Sequence, residues 1–167
     1  MTATILIILF FLILLLGLSL YNFEVRAEIL IDETPDKVWK TLIQMERYGD
    51  WNDQLQFMGG TPAKGEIIKL KLSVEGATPY EFSPTINHWE EGKKFGWIAR
   101  TGFPGVFDGE HLFELEERQG QTFLINRERY SGFLAPFIQH QPMMKNAPQG
   151  FEKMNQQLKK FIDTSNG

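Results

Sequence analysis

Residues 5–16 read ILIILFFLILLL, and no Lys, Arg, Asp or Glu occurs before Glu24. A helix made of this run has no polar face, so it cannot be an ordinary amphipathic element lying on a core. With Gly17, Leu18, Ser19, Leu20 and Tyr21 it reaches 17 residues. Such a helix is about 26 Å long, close to the roughly 30 Å hydrocarbon core of a bilayer. A secretory signal would need a basic residue before the run and a small-x-small cleavage site after it, and neither is present. The run therefore reads as a retained single-pass membrane anchor over residues 1–22. Arg26, Lys37 and Lys40 are the nearest cations, all on its C-terminal side. That leans the remaining chain towards the cytoplasm, whereas a cleaved leader would export it.

The rest has the composition of one compact domain. With 17 Lys+Arg against 21 Asp+Glu, the net charge is −4. That argues against nucleic acid, which needs a concentrated cationic surface. The absence of Cys excludes thiolate metal sites, disulfides and a Cys nucleophile. Three unclustered His give no metal site. No glycine-rich nucleotide loop and no Gly-x-Ser-x-Gly elbow occurs, and no organic cofactor signature is visible.

The elements alternate in a recognisable way. Residues 23–31 form a strand with Val25, Ala27, Ile29 and Ile31 on one face. Thr34-Pro35-Asp36 starts a helix that carries Val38, Trp39, Leu42 and Ile43 on one side. Residues 48–52 end this helical region. Strands are expected at 54–58, 65–74, 80–89, 94–101, 107–116 and 122–130, an antiparallel meander. Residues 133–147, interrupted by Pro136 and Pro142, read as irregular or short-helical. Pro148 then starts a helix with Phe151, Met154, Leu158 and Phe161/Ile162 on one stripe. The expected architecture is α+β, a curved antiparallel sheet wrapped around the long C-terminal helix. A sheet curved over one helix leaves interior space that side chains do not fill.

The second hairpin defines a candidate site. If Glu117 faces Thr122, then His111 faces Glu128, Phe113 faces Asn126 and Leu115 faces Leu124, with Phe107 and Tyr130 on the same face. The opposite face then sets Glu110 against Arg129. Charges outside and aromatics inside make the register self-consistent, since a one-residue slip would invert it. His111 and Glu128 are thus expected to point inward together. They would serve as a polar handle for a ligand, as a general acid/base couple, or as a buried pair that only satisfies itself.

The remaining candidates are aromatic. Phe95, Trp97 and Ala99 share a strand face, opposite Ile86 and His88 if Trp89 faces Lys94, and serve either as pocket wall or as core. His88 is a candidate inward group, and His140 is expected at the surface. Trp39 belongs to the core and Trp51 closes one end. The loop 101–106 carries Phe103 among Gly and Pro, and is either a gate or a plain connection. Met143, Met144 and Met154 either adapt to a ligand or fill space.

These motifs, in this order, resemble the START/Bet v1-like (SRPBCC) superfamily, especially its polyketide cyclase/dehydrase-like bacterial branch. The likeness is carried by IDETPDKVWK at 31–40, YGDWN at 48–52, FDGEHLFEL at 107–115, GQTFLINRERYSGFL at 120–134 and GFEKMNQQLK at 150–159. It covers residues 23–162 and leaves 163–167 as a tail. Asp53 stands where such relatives often carry Pro after Trp-Asn. The resemblance implies a helix-grip fold with a hydrophobic cavity, and lipid or polyketide binding, lipid transfer or, in a few members, cyclisation or dehydration. It implies no universal catalytic motif. The expected partner is a hydrophobic small molecule or lipid, held in a membrane-tethered domain. A cyclase/dehydratase-like enzyme using His111 and Glu128, or a cavity-free protein-interaction module, are the alternatives.

Overall fold

A computed structural model describes residues 2–74 and 78–164. Of residues 2, 3, 11, 12, 14 and 16 it describes the backbone alone. The C-terminal tail expected at 163–167 lies outside the described residues beyond Thr164.

The element order is α1 (Thr2–Leu20), β1 (Asn22–Ile31), α2 (Pro35–Ile43), a 3-10 turn (Met45–Arg47), α3 (Tyr48–Trp51) and β2 (Leu55–Gly60). There follow β3 (Ile68–Leu72), β4 (Tyr80–Phe82), β5 (Thr85–Glu90), β6 (Lys94–Thr101), β7 (Phe107–Arg118) and β8 (Gln121–Ser131). Two helices, α4 (Ala135–Ile138) and α5 (Pro142–Thr164), complete the chain.

The expectation of a membrane anchor is overturned. Among the described residues no helix is long and apolar enough to cross a membrane. The apolar run is helical, as α1 over Thr2–Leu20. The junction after α1 is tied to the rest of the chain, since the Tyr21 hydroxyl donates to Gln139 Oε1 at 2.5 Å.

The strands form two antiparallel sheets rather than one meander. The larger has the order β1-β8-β7-β6-β5 and the smaller β2-β3-β4. The single strand expected over 80–89 is broken by Ser83-Pro84, since proline removes a ladder donor. Its halves β4 and β5 join different sheets. One bridge, Ile67 to Thr85, links the sheets.

The β7–β8 hairpin has the expected register. Gln119 (φ 54°) and Gly120 (φ 82°) make a two-residue turn, with both central residues left-handed as the strand twist requires. Arg118 then faces Gln121, and His111 faces Glu128. The β5–β6 hairpin differs from expectation by one residue near its turn. Gly92, at φ 69°, closes a three-residue loop and Glu90, not Trp89, faces Lys94. A bulge between Ile86 and His88 absorbs the offset, so Ile86 still faces Trp97 while His88 faces Gly96. His88 points outward, 3.0 Å from Glu110 Oε1, and is not a pocket group.

The C-terminal helix begins earlier than expected. Pro142 is its first residue and the Gln141 carbonyl accepts from the Met144 and Lys145 amides. Pro148 lies inside the helix. Proline suits the first helical turn because its missing N–H has no partner there, so both prolines read as start signals and only packing separates them.

Helix α5 crosses the concave face of the larger sheet. Its C-terminal half contributes Met154, Leu158 and Ile162 to the main core, with Trp39 and Leu42 of α2 and Phe95, Trp97 and Phe113 of the sheet. Trp39 meets Trp89 and Phe95 edge-on, at 5.7 and 6.2 Å. Trp51 is buried beside Tyr48, at 5.0 Å. The N-terminal half of α5 meets a separate, smaller cluster of Val25, Tyr130 and Met144. The interior is thus packed at one end and open at the other.

The convex face carries charges. Arg127 donates to Glu114 at 2.8 Å and to Glu24 at 3.1 Å, and Lys94 lies 3.1 Å from Glu114. Burial pushes the Glu114 carboxyl up, but the hydrogen bonds and charges of Arg127 and Lys94 outweigh it and hold it below the usual range. A depressed folded-state pKa contributes stability above the unfolded value, about 4.3, and loses it as pH falls through the folded one. Glu114→Gln should therefore lose less stability than wild type between pH 5 and pH 3, by about 0.5–1 kcal/mol. Urea unfolding at the two pH values measures this, and equal losses would refute it.

Candidate functional site

The open end is a cavity of about 730 Å³ between the N-terminal half of α5 and the inner faces of β6, β7 and β8. Three strands place side chains on its wall by simple alternation. These are Trp97 and Ala99 from β6, Phe107, Gly109 and His111 from β7, and Glu128 and Tyr130 from β8. Helix α5 closes the other side with Met143, Met144, Ala147, Phe151 and Met154. Leu55, Leu72 and Phe82 of the smaller sheet complete the wall.

The polar groups converge on one spot. Glu128 Oε2 accepts from the Tyr130 hydroxyl at 2.8 Å and lies 3.5 Å from His111 Nδ1. Burial first, then the charge of Glu128, hold the Tyr130 hydroxyl well above its usual pKa. It therefore stays protonated and keeps donating. The His111 ring is fixed by aromatic neighbours. It stacks on Trp97 at 4.6 Å and 8°, and meets Phe113 at 4.7 Å and Phe151 at 5.2 Å. Its Nε2 is buried and has no hydrogen-bond partner among the described residues.

Glu128 Oε1 faces the gap left by Gly109. A Cβ built there would lie 2.6 Å from that oxygen and 3.4 Å from the Tyr130 ring. Glycine at 109 thus leaves the carboxylate open to the cavity. Tyr130 itself is sandwiched by Phe23 at 4.9 Å and Phe107 at 5.6 Å.

At the rim, Lys153 of α5 pairs with Asp53 at 2.6 Å. The hydrogen bond from Lys153 holds the Asp53 carboxyl below its usual range. An acid at this position bridges the loop before β2 to α5, a tie that proline could not make.

Of the residues expected at the site, His111, Glu128, Trp97, Phe107 and Tyr130 come together on the wall. Phe95 and Phe113 are fully buried in the main core beneath it. Asn126 is also buried, and donates to Asn155 Oδ1 at 3.0 Å and to Met154 Sδ at 3.4 Å. Phe103 stands 70% exposed on the β6–β7 loop, away from the wall. His140 is exposed. Sequence reasoning missed Gly109 and the wall residues of β2, β3 and β4. An inward position occupied by glycine between Phe107 and His111 was the available signal for the first. Among the described residues no group of three or more His, Asp or Glu is placed to hold a metal ion.

No family model matches the chain, and no curated protein matches it. Solved structures do. The crystal structure of Ara h 8.0201 superposes with a TM-score of 0.64 at 14% identity, over 86% of this chain and 99% of that one. Norcoclaurine synthase from Thalictrum flavum, in complex with dopamine and hydroxybenzaldehyde, gives 0.63 at 12% identity, over 85% and 87%. CalU16 from Micromonospora echinospora gives 0.57 at 17% identity, over 85% of each chain. At these identities the likeness is one of fold. The chain has the START/Bet v1-like fold, a curved antiparallel sheet gripping a long C-terminal helix.

Proposed function

We propose that this helix-grip domain, residues 23–162, binds a hydrophobic small molecule between α5 and the inner face of β6–β8. The observation that carries the reading is the unfilled volume of about 730 Å³, within the roughly 300–1,000 Å³ usual for small-molecule sites. Protein interiors are otherwise close-packed, so so much space beside Trp97, Phe107 and three methionines favours an apolar occupant. The fold neighbour that holds dopamine and hydroxybenzaldehyde supports a small-molecule occupant rather than a protein partner. A cavity of this size also argues against an interaction module with a solid core.

Catalysis by a His111–Glu128 couple is less well supported. The Nδ1 of His111 faces Glu128 and its Nε2 is buried, so neither nitrogen is presented to a substrate. General acid/base work needs that reach. Glu128 alone offers an accessible atom, and a single carboxylate serves binding as readily as proton transfer.

The test is a titration with 1-dodecanol, read by tryptophan fluorescence, together with mass spectrometry of solvent extracts of the purified protein. Wild type should bind dodecanol saturably. Ala99→Trp, which places an indole in the cavity, should weaken it at least about tenfold, or 1.4 kcal/mol. Non-saturable binding with empty extracts sinks the reading.

A further inference from the structure

Glu128 is an anion in an apolar cavity without a full cationic partner. Its side chain is 19% exposed, and among the ion pairs of the described residues its one partner is His111 at 3.5 Å. Both that contact and the Tyr130 hydrogen bond fall on Oε2. Oε1 is left facing the space at Gly109. A carboxylate held among apolar groups is costly unless its acceptor sites are filled.

Two other cations stand on the wall among the described residues, each with an acid beside it. Lys153 pairs with Asp53 at 2.6 Å, and Arg100 lies 4.0 Å from Asp108. An anionic head group would have to compete with Asp53 or Asp108 for these cations and would meet Glu128 as a like charge. A protonated amine meets the reverse situation. It supplies donors to Oε1, in a charge-assisted hydrogen bond stronger than a neutral one. The rings of Tyr130 and Phe107, stacked 5.6 Å apart beside the carboxylate, offer further attraction to a cation.

We infer that the cavity selects amphiphiles with a protonated amine head, bound at Glu128 Oε1, over neutral or carboxylate analogues of the same apolar body. This rests on the hydrophobic-cavity reading above and adds the head-group class.

Dodecylamine, 1-dodecanol and dodecanoate at pH 7, each below its aggregation concentration, separate the two. Dodecylamine should bind at least about tenfold tighter than dodecanol, as expected for a charge-assisted bond, and dodecanoate weakest of the three. The net charge of −4 attracts any cation, so two variants locate the effect. Glu128→Gln should bring the amine-to-alcohol ratio towards one. Glu116→Gln, the same charge change on an exposed side chain 50% accessible on the convex edge, should keep the wild-type ratio. Dodecanol bound with no preference for the amine overturns this inference and leaves the cavity reading standing. So does a dodecanoate preference, or an equal drop in both variants. If none of the three binds wild type, both fall. Should Glu128→Gln fail to fold, the wild-type ranking alone still overturns the inference, and Gly109→Ala, whose Cβ crowds Oε1, should also lower the ratio.

Discussion

A Phe113→Ala protein should lose about 3–5 kcal/mol of stability, the range for truncating a large buried aromatic. Phe113 is wholly buried. It lies parallel to Phe95 at 6.4 Å and edge-on to Trp97 at 5.9 Å, and it tilts against His111 at 4.7 Å. The change removes transfer free energy and leaves a void beneath the cavity wall. A domain of this size has about 5–15 kcal/mol in all, so the variant should sit close to its unfolding midpoint in mild urea. Phe103→Ala, on a ring 70% exposed, should change stability by no more than about 0.5 kcal/mol. Urea denaturation of the pair decides the matter. A loss under about 1.5 kcal/mol for Phe113→Ala would mean that the ring is not the keystone between core and site.

Gly132→Ala should cost about 2–4 kcal/mol, for a backbone reason. Gly132 has φ +106°, a region left to glycine. A Cβ there would come within 2.7 Å of the carbonyl oxygens of Gly105 and Val106 and 2.9 Å of the Val106 carbonyl carbon. Those atoms are backbone and cannot swing aside. They are also bonded, since the Phe133 amide donates to the Gly105 carbonyl at 3.0 Å and the Leu134 amide to the Val106 carbonyl at 3.1 Å. Strain of about 1–3 kcal/mol at the dihedral adds to the loss of this clasp. The clasp holds the loop that leads into Phe107, so dodecanol affinity should fall as well. Faster hydrogen exchange at the Phe133 and Leu134 amides is the accompanying sign. Unchanged unfolding and exchange would contradict the clasp.

Where the sequence was legible, a period or a turn carried the information. The β7–β8 register followed from residues that make sense on one face only. His111, Phe113, Asn126 and Glu128 lie opposite the charged set of Glu110, Glu114, Arg127 and Arg129, and a slip would have inverted both. The β5–β6 turn lacked that safeguard. Loops of three and four residues fit Glu90-Glu91-Gly92-Lys93 equally well, and the bulge after Ile86 hid the difference further along. The start of α5 was missed because Pro142 and Pro148 carry the same local signal. The anchor expectation rested on the hydropathy and length of the run and on the missing features of a secretory signal. It fails because no helix among the described residues is long and apolar enough to cross a membrane.

Alternation along β6, β7 and β8 determined which side chains face inward, so the sequence alone puts the candidates His111, Glu128, Trp97, Phe107 and Tyr130 on one face. The depth of each inward position was not in the strands. Phe95, Phe113 and Asn126 alternate in the same way, yet they lie under the packed half of the sheet, where α2 and the end of α5 press on it. Only the crossing of α5 over the curved sheet divides core from cavity. That division depends on contacts between segments far apart in the chain, which local periodicity does not encode.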